Sequence, residues 1–242
     1  MQYIPMKPLL DKALAGGYAV PAFCVWSAET MKASVAYLQP LMPRSPYAAS
    51  KAGGDRLAFA YWATYGLPVV VTRCSNNYGP RQYPEKLVPL FVTNAIEDQP
   101  LPVYGTGRNR RDWIHVEDHC AALVALLAQP GVEGETFNIG AGNELDVLAM
   151  TEAILRLLGK PASLVRHVED RPGHDRRYAL DSSRLTQLTG WRPAVSFDEG
   201  IRQTVEWYRA NEAWWRPIKA GEFRAYYERA YGRRKVLKEG QA

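Results

Sequence analysis

From Ser45 onward, apolar residues recur in alternating helical and strand-like periods, the pattern of an α/β chain rather than of a helical bundle or an all-β sandwich. Ser45 and Pro46, a cap and a first-turn residue, predict a helix from about Tyr47 to Tyr65 that Gly66 stops. Leu67 to Arg73 is a short β-branched run of the kind found in a buried parallel strand. The Asn-, Gly- and Pro-rich stretch Cys74 to Tyr83 is predicted to be a loop at the carboxyl end of that strand, where open α/β sheets place their ligands. A helix after Pro84, extended pieces at Leu101 to Tyr104 and Asp112 to Val116, and a helix from Asp118 to Leu127 come next. They are followed by a strand at Thr136 to Ile139 and a helix from Asp146 to Leu158 with Gly159 as its stop. Ser196 and Glu199 form a capping box, opening a helix with Ile201, Val205 and Tyr208 on one side.

Composition narrows the class. At 242 residues and 47% hydrophobic, the chain can bury a sizeable core. Its net charge of +5 is spread along the sequence apart from a late cluster, Arg233, Arg234, Lys235 and Lys238. No zinc spacing or aromatic RNA-binding signature accompanies it, so no nucleic-acid partner is expected. The excess suits a diphosphate ligand instead. Cys24, Cys74 and Cys120 are widely spaced, suggesting neither a disulfide framework nor a metal site and pointing to a reducing cytoplasm. No apolar run approaches a membrane span, so no membrane partner is expected.

Chemistry first shows at Tyr47 and Lys51. Four residues apart on a predicted helix, the phenol and the ammonium share a face about one turn apart. A nearby ammonium favours phenolate, which can take a proton from a sugar hydroxyl as hydride leaves the same carbon. Tyr3 and Lys7 repeat the spacing around Pro5 without a helical context, and that match is read as chance.

The surroundings of Tyr47 separate the two. Ser45-Pro-Tyr-Ala-Ala-Ser-Lys51-Ala-Gly-Gly-Asp-Arg56 resembles the active-site helix of the extended short-chain dehydrogenases. Five further blocks follow: Cys74-Ser-Asn-Asn-Tyr-Gly-Pro80, Pro84-Glu-Lys-Leu-Val-Pro89, Leu101-Pro-Val-Tyr-Gly105, Arg111-Asp-Trp-Ile-His-Val-Glu-Asp118 and Asp170-Arg-Pro-Gly-His-Asp-Arg-Arg-Tyr178. In that order they resemble the dTDP-glucose 4,6-dehydratases over about Pro40 to Tyr231. The resemblance implies an incomplete NAD-binding Rossmann-like parallel sheet with a small carboxy-terminal α/β substrate domain. Residues 40–80 would be the remnant of the dinucleotide-binding domain, and 81–242 mainly the nucleotide-sugar domain with interleaved Rossmann elements.

By position, the resemblance implies Tyr47 as redox base, Lys51 as its activator and a ribose contact, and Asn77 on the cofactor side. Asn76 would touch the substrate. Lys86, Leu87, Pro102, Val103, Tyr104, Arg111, Arg171 and His174 would surround the nucleotide and its diphosphate, to which arginine offers a planar fork. Plainer readings stand beside these: Arg111 paired with Asp112 or a surface acid, and His174 as an ordinary loop residue. Lys86 is placed in the first turn of a helix, where the dipole is unfavourable for a cation. Trp113, Trp207, Trp214 and Trp215 are read as packing residues. The implied partner is dTDP-glucose or a similar nucleotide sugar, with a homodimer by resemblance.

The chain also departs from the pattern. It contains no G-x-x-G-x-x-G turn to receive the NAD pyrophosphate and no Thr-Asp-Glu triplet to supply the elimination acid and base. Little or no independent turnover is therefore expected. Met6 to Phe23 and Glu29 to Ala33 instead resemble the opening helix and first strand of class II sugar-bisphosphate aldolases, so residues 1–39 are read as a foreign segment. After Asn143-Glu144 the family has a few more residues, including an asparagine that contacts the nucleotide, whereas Leu145-Asp146 follows here at once. Two other readings remain: a non-catalytic chain that binds a nucleotide sugar or self-associates, and an epimerase or reductase of a related sugar nucleotide.

Overall fold

The computed structural model describes residues 46–221, 227, 228, 230–232 and 234–237. The Ser45 cap, the Tyr3–Lys7 pair and the expected Ala19 to Cys24 strand lie outside them. The chain forms two compact units, Met1–Ser50 and Lys51–Ala242. All strands described below belong to the second.

Helix α1 (Pro46–Tyr65) spans the expected range. The next strand, β1 (Val71–Cys74), is shorter than the run that predicted it, because pairing begins only where Val71 meets Thr136 of β5 (Thr136–Ile139). The expected loop after Cys74 requires correction. Asn76–Tyr78 form a strand, β2, parallel to β4 (Arg110–His115), with Asn76 opposite Trp113 and Tyr78 opposite His115. Two asparagines give no β signal, and only the partner strand makes their extended backbone favourable.

Helix α2 (Leu87–Ile96) leads to β3 (Leu101–Tyr104), α3 (Val116–Leu127) follows β4, and β6 (Glu144–Asp146) runs antiparallel to β4. Helix α4 (Val147–Leu158) opens under a sequence-legible cap, since Asp146 Oδ1 accepts from Ala149 N at 2.8 Å. It ends at Gly159, whose φ of 64° is left-handed and so disfavours any side chain. Strand β7 (Val165–Val168) pairs in parallel with β3, and β8 (Arg177–Tyr178) joins β4 opposite Arg110 and Arg111. Helices α5 (Ser183–Thr189), α6 (Phe197–Ala210) and α7 (Glu212–Ala220) complete the order. Ser196 caps α6 as expected, accepting from Glu199 N at 3.3 Å.

Two hydrophobic cores support these elements. One joins α2, α4, α6 and α7 around Tyr78, Trp113, Ile201, Val205, Tyr208 and Trp215. Full burial of each aliphatic side chain there contributes about 1.5–3 kcal/mol. The other gathers Ile114, Phe137, Ile139, Leu185 and Trp191. Trp113 and Trp215 are packed as expected, while Trp214 is partly exposed. Helix α1 differs from the rest in burying none of its described residues, and it leaves Leu57, Phe59, Tyr61 and Tyr65 exposed.

Candidate functional site

Strand β2 brings its two asparagines beside the end of β1. The Asn77 amide nitrogen donates to Cys74 Sγ at 3.3 Å and to the Ser75 carbonyl at 3.1 Å. Its oxygen lies 2.7 Å from His119 Nδ1. Because an amide oxygen only accepts, His119 must carry the proton on Nδ1, and burial holds its pKa below the usual value. His119 was not anticipated: it sits in the first turns of α3 with no sequence signal beyond its type. Asn76 is half-buried on the same strand.

Arg111 is the centre of the arrangement. Strand β4 carries it inward until it is only 9% exposed. Its Nη1 donates to the Arg110 carbonyl at 2.7 Å and its Nη2 to the Asp175 carbonyl at 2.8 Å. The reading that paired it with Asp112 is corrected, since Asp112 instead accepts from Asn143 N at 3.0 Å. Among the described residues, Arg111 forms no salt bridge. Burial, with Arg171 nearby, lowers its pKa, opposed by the carboxylates of Asp175 and Asp170. A buried guanidinium held by neutral carbonyls keeps a charge that an anion can meet.

The loop after β7 supplies its neighbours. Asp170 Oδ1 accepts from Arg171 N at 2.8 Å and lies 2.7 Å from His174 Nδ1, fixing the loop from within. The His174 side chain is 9% exposed, and burial lowers its pKa despite the Asp170 bond. It meets Tyr104 edge-on at 6.1 Å. Asn109 donates to the Asp175 carbonyl at 3.0 Å, so two residues of the β4 approach grip this loop. Tyr178, opposite Arg111 on β8, places its hydroxyl 3.4 Å from the Cys74 carbonyl and ties the cluster to the end of β1. Asp175, Asn109 and Tyr178 were missed because each acts through a partner distant in sequence, Asp175 by its carbonyl, Asn109 by its side-chain amide and Tyr178 by strand register.

The remaining expected residues divide. Pro102 and Val103 are both buried in β3, and Val103 belongs to the first hydrophobic core. Tyr104 at the strand end is only partly buried and reaches the loop. Lys86 stands at the N-cap of α2, one residue before the first turn where it was expected, and pairs with Glu85 at 2.8 Å. That adjacent carboxylate offsets the unfavourable dipole, and Leu87 opens the helix. The short Asn143 to Asp146 connection is taken up by β6, whose Glu144 grips Arg177 at 2.8 and 2.5 Å. Tyr47 is 72% exposed and belongs to the first compact unit. Lys51 is exposed, and no described hydrogen bond or ion pair connects it to the Arg111 cluster.

The sequence profile of the GDP-mannose 4,6 dehydratase family matches residues 32–204. The chain belongs to that family. Its match begins ahead of Pro40, inside the segment read as foreign. A dTDP-glucose 4,6-dehydratase of Streptomyces niveus is 55% identical over 181 residues, covering 75% of this chain and 54% of that protein. One from Actinoplanes sp. is 58% identical over 176 residues, covering 73% and 55%. The chain thus spans about half the length of these curated relatives. Among solved structures, a dTDP-glucose 4,6-dehydratase of Streptomyces venezuelae with NAD bound superposes with a TM-score of 0.72 at 45% identity, covering 87% of this chain and 66% of that one. A UDP-glucuronic acid 4-epimerase of Bacillus cereus, solved with its sugar nucleotide and NAD, gives 0.67 at 28% identity, covering 70% and 54%. For this family member, the α/β class and the dehydratase resemblance read from the motif blocks are therefore established.

Proposed function

We propose that this chain carries the nucleotide-sugar site of a dTDP-glucose 4,6-dehydratase and binds a nucleoside diphosphate through the Arg111 cluster. One observation carries this reading: the Arg111 guanidinium is buried against main-chain carbonyls, with Arg171 and His174 beside it and no described acid bonded to it. A diphosphate supplies the missing counter-charge and accepts from the fork. Asn76, Lys86 and Leu87 line the sugar and phosphate side, and Tyr104 faces the base. Residues 40–80 then represent the dinucleotide-binding part and 81–242 mainly the substrate part, in a soluble protein of a reducing cytoplasm. The free thiols of Cys74 and Cys120 agree with such a compartment, and no described helix is long and apolar enough to cross a membrane.

Within this reading Tyr47 is the base that takes the proton from the sugar C4 hydroxyl, and Lys51 favours its phenolate. The resemblance implies NAD as hydride carrier. The glycines that the sequence offers are not expected to cradle its pyrophosphate, however. Gly105 and Gly107 turn between two strands rather than into a helix, and the Asn77 amide is committed to Cys74, Ser75 and His119. Turnover by this chain alone is accordingly expected to be slight.

Calorimetry with dTDP is the test. Wild-type protein is expected to bind and Arg111→Ala to lose at least about tenfold in affinity, the size of one charge-assisted fork. Equal affinity in the two proteins would remove the diphosphate site. Formation of a 4-keto-6-deoxyglucose nucleotide from purified chain plus NAD, lost in Tyr47→Phe, would overturn the expectation of slight turnover. The uncovered apolar side chains of α1 favour self-association as a second property, to be read as a dimer in sedimentation.

A further inference from the structure

The carboxy-terminal tail is built into the same site. Beyond β7 it adds an antiparallel bridge, Val236 to Val168. Glu169 N donates to the Lys235 carbonyl at 3.0 Å, and Leu237 N to the His167 carbonyl at 2.9 Å. This short strand addition fixes where Arg234 stands. The Arg234 Nη1 donates to the carbonyls of Glu169 and Asp170 at 3.0 and 3.3 Å, and its Nε to the Ala230 carbonyl at 2.8 Å. Its guanidinium carbon also lies 4.7 Å from the centre of the Tyr104 ring, against which Tyr231 stacks at 5.7 Å and 19°.

Arg234 therefore touches both halves of the candidate site. One contact is to the aromatic ring at the end of β3. The other is to the backbone of Asp170, whose carboxylate orders Arg171 and His174 and whose loop presents the Asp175 carbonyl to Arg111. A guanidinium can do both at once because its edge donates in plane while its face stacks. Lysine keeps the charge over the ring but loses the fork.

We propose that Arg234 is a positioning residue for nucleotide binding, clamping the Tyr104 ring to the Asp170–Asp175 loop so that base and diphosphate contacts are presented together. This rests on the nucleotide-sugar reading above. The same contacts give Arg234 of the late basic cluster a local task that net charge did not suggest.

The experiment uses the full chain with three variants, Arg234→Ala, Arg234→Lys and the exposed neighbour Lys235→Ala, each titrated with dTDP and melted without ligand. Arg234→Ala is expected to weaken dTDP binding about tenfold, Arg234→Lys to recover part of that loss, and Lys235→Ala to bind like wild type, with all Tm values within a few degrees. Wild-type affinity in Arg234→Ala, when Arg111→Ala has lost it, overturns the proposal. So does a loss in Arg234→Ala that merely accompanies unfolding and that lysine does not recover. Should wild type bind no dTDP, the nucleotide reading fails, and the clamp is decided by hydrogen exchange in the free protein. Faster exchange of the Arg171 and His174 amides in Arg234→Ala supports the clamp, and unchanged exchange overturns it.

Discussion

Gly200 in α6 offers a sharp test of how the asparagine strand is supported. A Cβ built at this position would overlap the Tyr78 hydroxyl and come within 3.1 Å of both Tyr78 Cζ and His115 Cδ2. Those two rings are each 1% exposed and meet edge-on at 5.4 Å, so neither can swing into solvent to make room. Overpacking of this kind costs about 1–3 kcal/mol, and a clash with two confined rings belongs at the upper end. Opposing it is the helix propensity of Gly→Ala, a gain of about 1 kcal/mol. The net expectation for Gly200→Ala is a loss of about 2 kcal/mol, or roughly 4–8 °C in Tm for a unit of this size. The worst overlap is with an oxygen that no described protein group bonds, so Tyr78→Phe should be nearly neutral alone. The double variant should then recover about half the loss, measured as a coupling free energy from urea unfolding. A Gly200→Ala protein as stable as wild type, or strictly additive effects, would refute the packing argument. Because Tyr78 ends β2, the same displacement should weaken dTDP binding through Asn76.

Asp118→Ala should destabilise by about 2–3 kcal/mol in urea unfolding, since its buried carboxylate accepts from Ala194 N at 2.8 Å and Val195 N at 3.1 Å and its loss strands both donors. Asp118→Asn should lose less, and equal effects would count against the two-acceptor role. Acidification should also destabilise the fold. Burial lowers the pKa of His115, His119 and His174 below the ordinary imidazole value of 6.5, so the unfolded chain takes up protons first. Stability is then full above about pH 6.5 and falls as pH drops from there through the lower folded-state values. Urea midpoints at pH 7.5 and 5.5 should show that fall, and a flat profile would contradict the assigned burial.

Much of the local structure was legible because it depends on neighbours in sequence. Asp146 and Ser196 cap helices as their side-chain chemistry requires, Gly159 stops one in the left-handed region, and Ile201, Val205 and Tyr208 turn to the core at helical spacing. The motif blocks likewise singled out Tyr104 and His174, whose rings meet in the fold, and placed the chain in its family. Strand β2 reads as loop in sequence because Asn-Asn-Tyr has no strand pattern of its own, and hydrogen bonding to β4 supplies what periodicity lacks. Lys86 slipped by one residue because cap positions depend on backbone angles.

What the sequence by itself determined was the kind of those elements whose signals are local, α1, β1, β3, α4 and α6 among them, and the chemistry available to them, since both follow from short-range hydrogen bonding and side-chain type. Only the tertiary structure decided which groups meet. The parallel pairings of β3 with β7 and of β4 with β8 bring the Tyr104 ring, the Arg111 fork and the Asp170 loop together, and the tail adds Arg234 across them. Such encounters join residues far apart along the chain, and their register is set by buried area and inter-strand hydrogen bonds that no local pattern encodes.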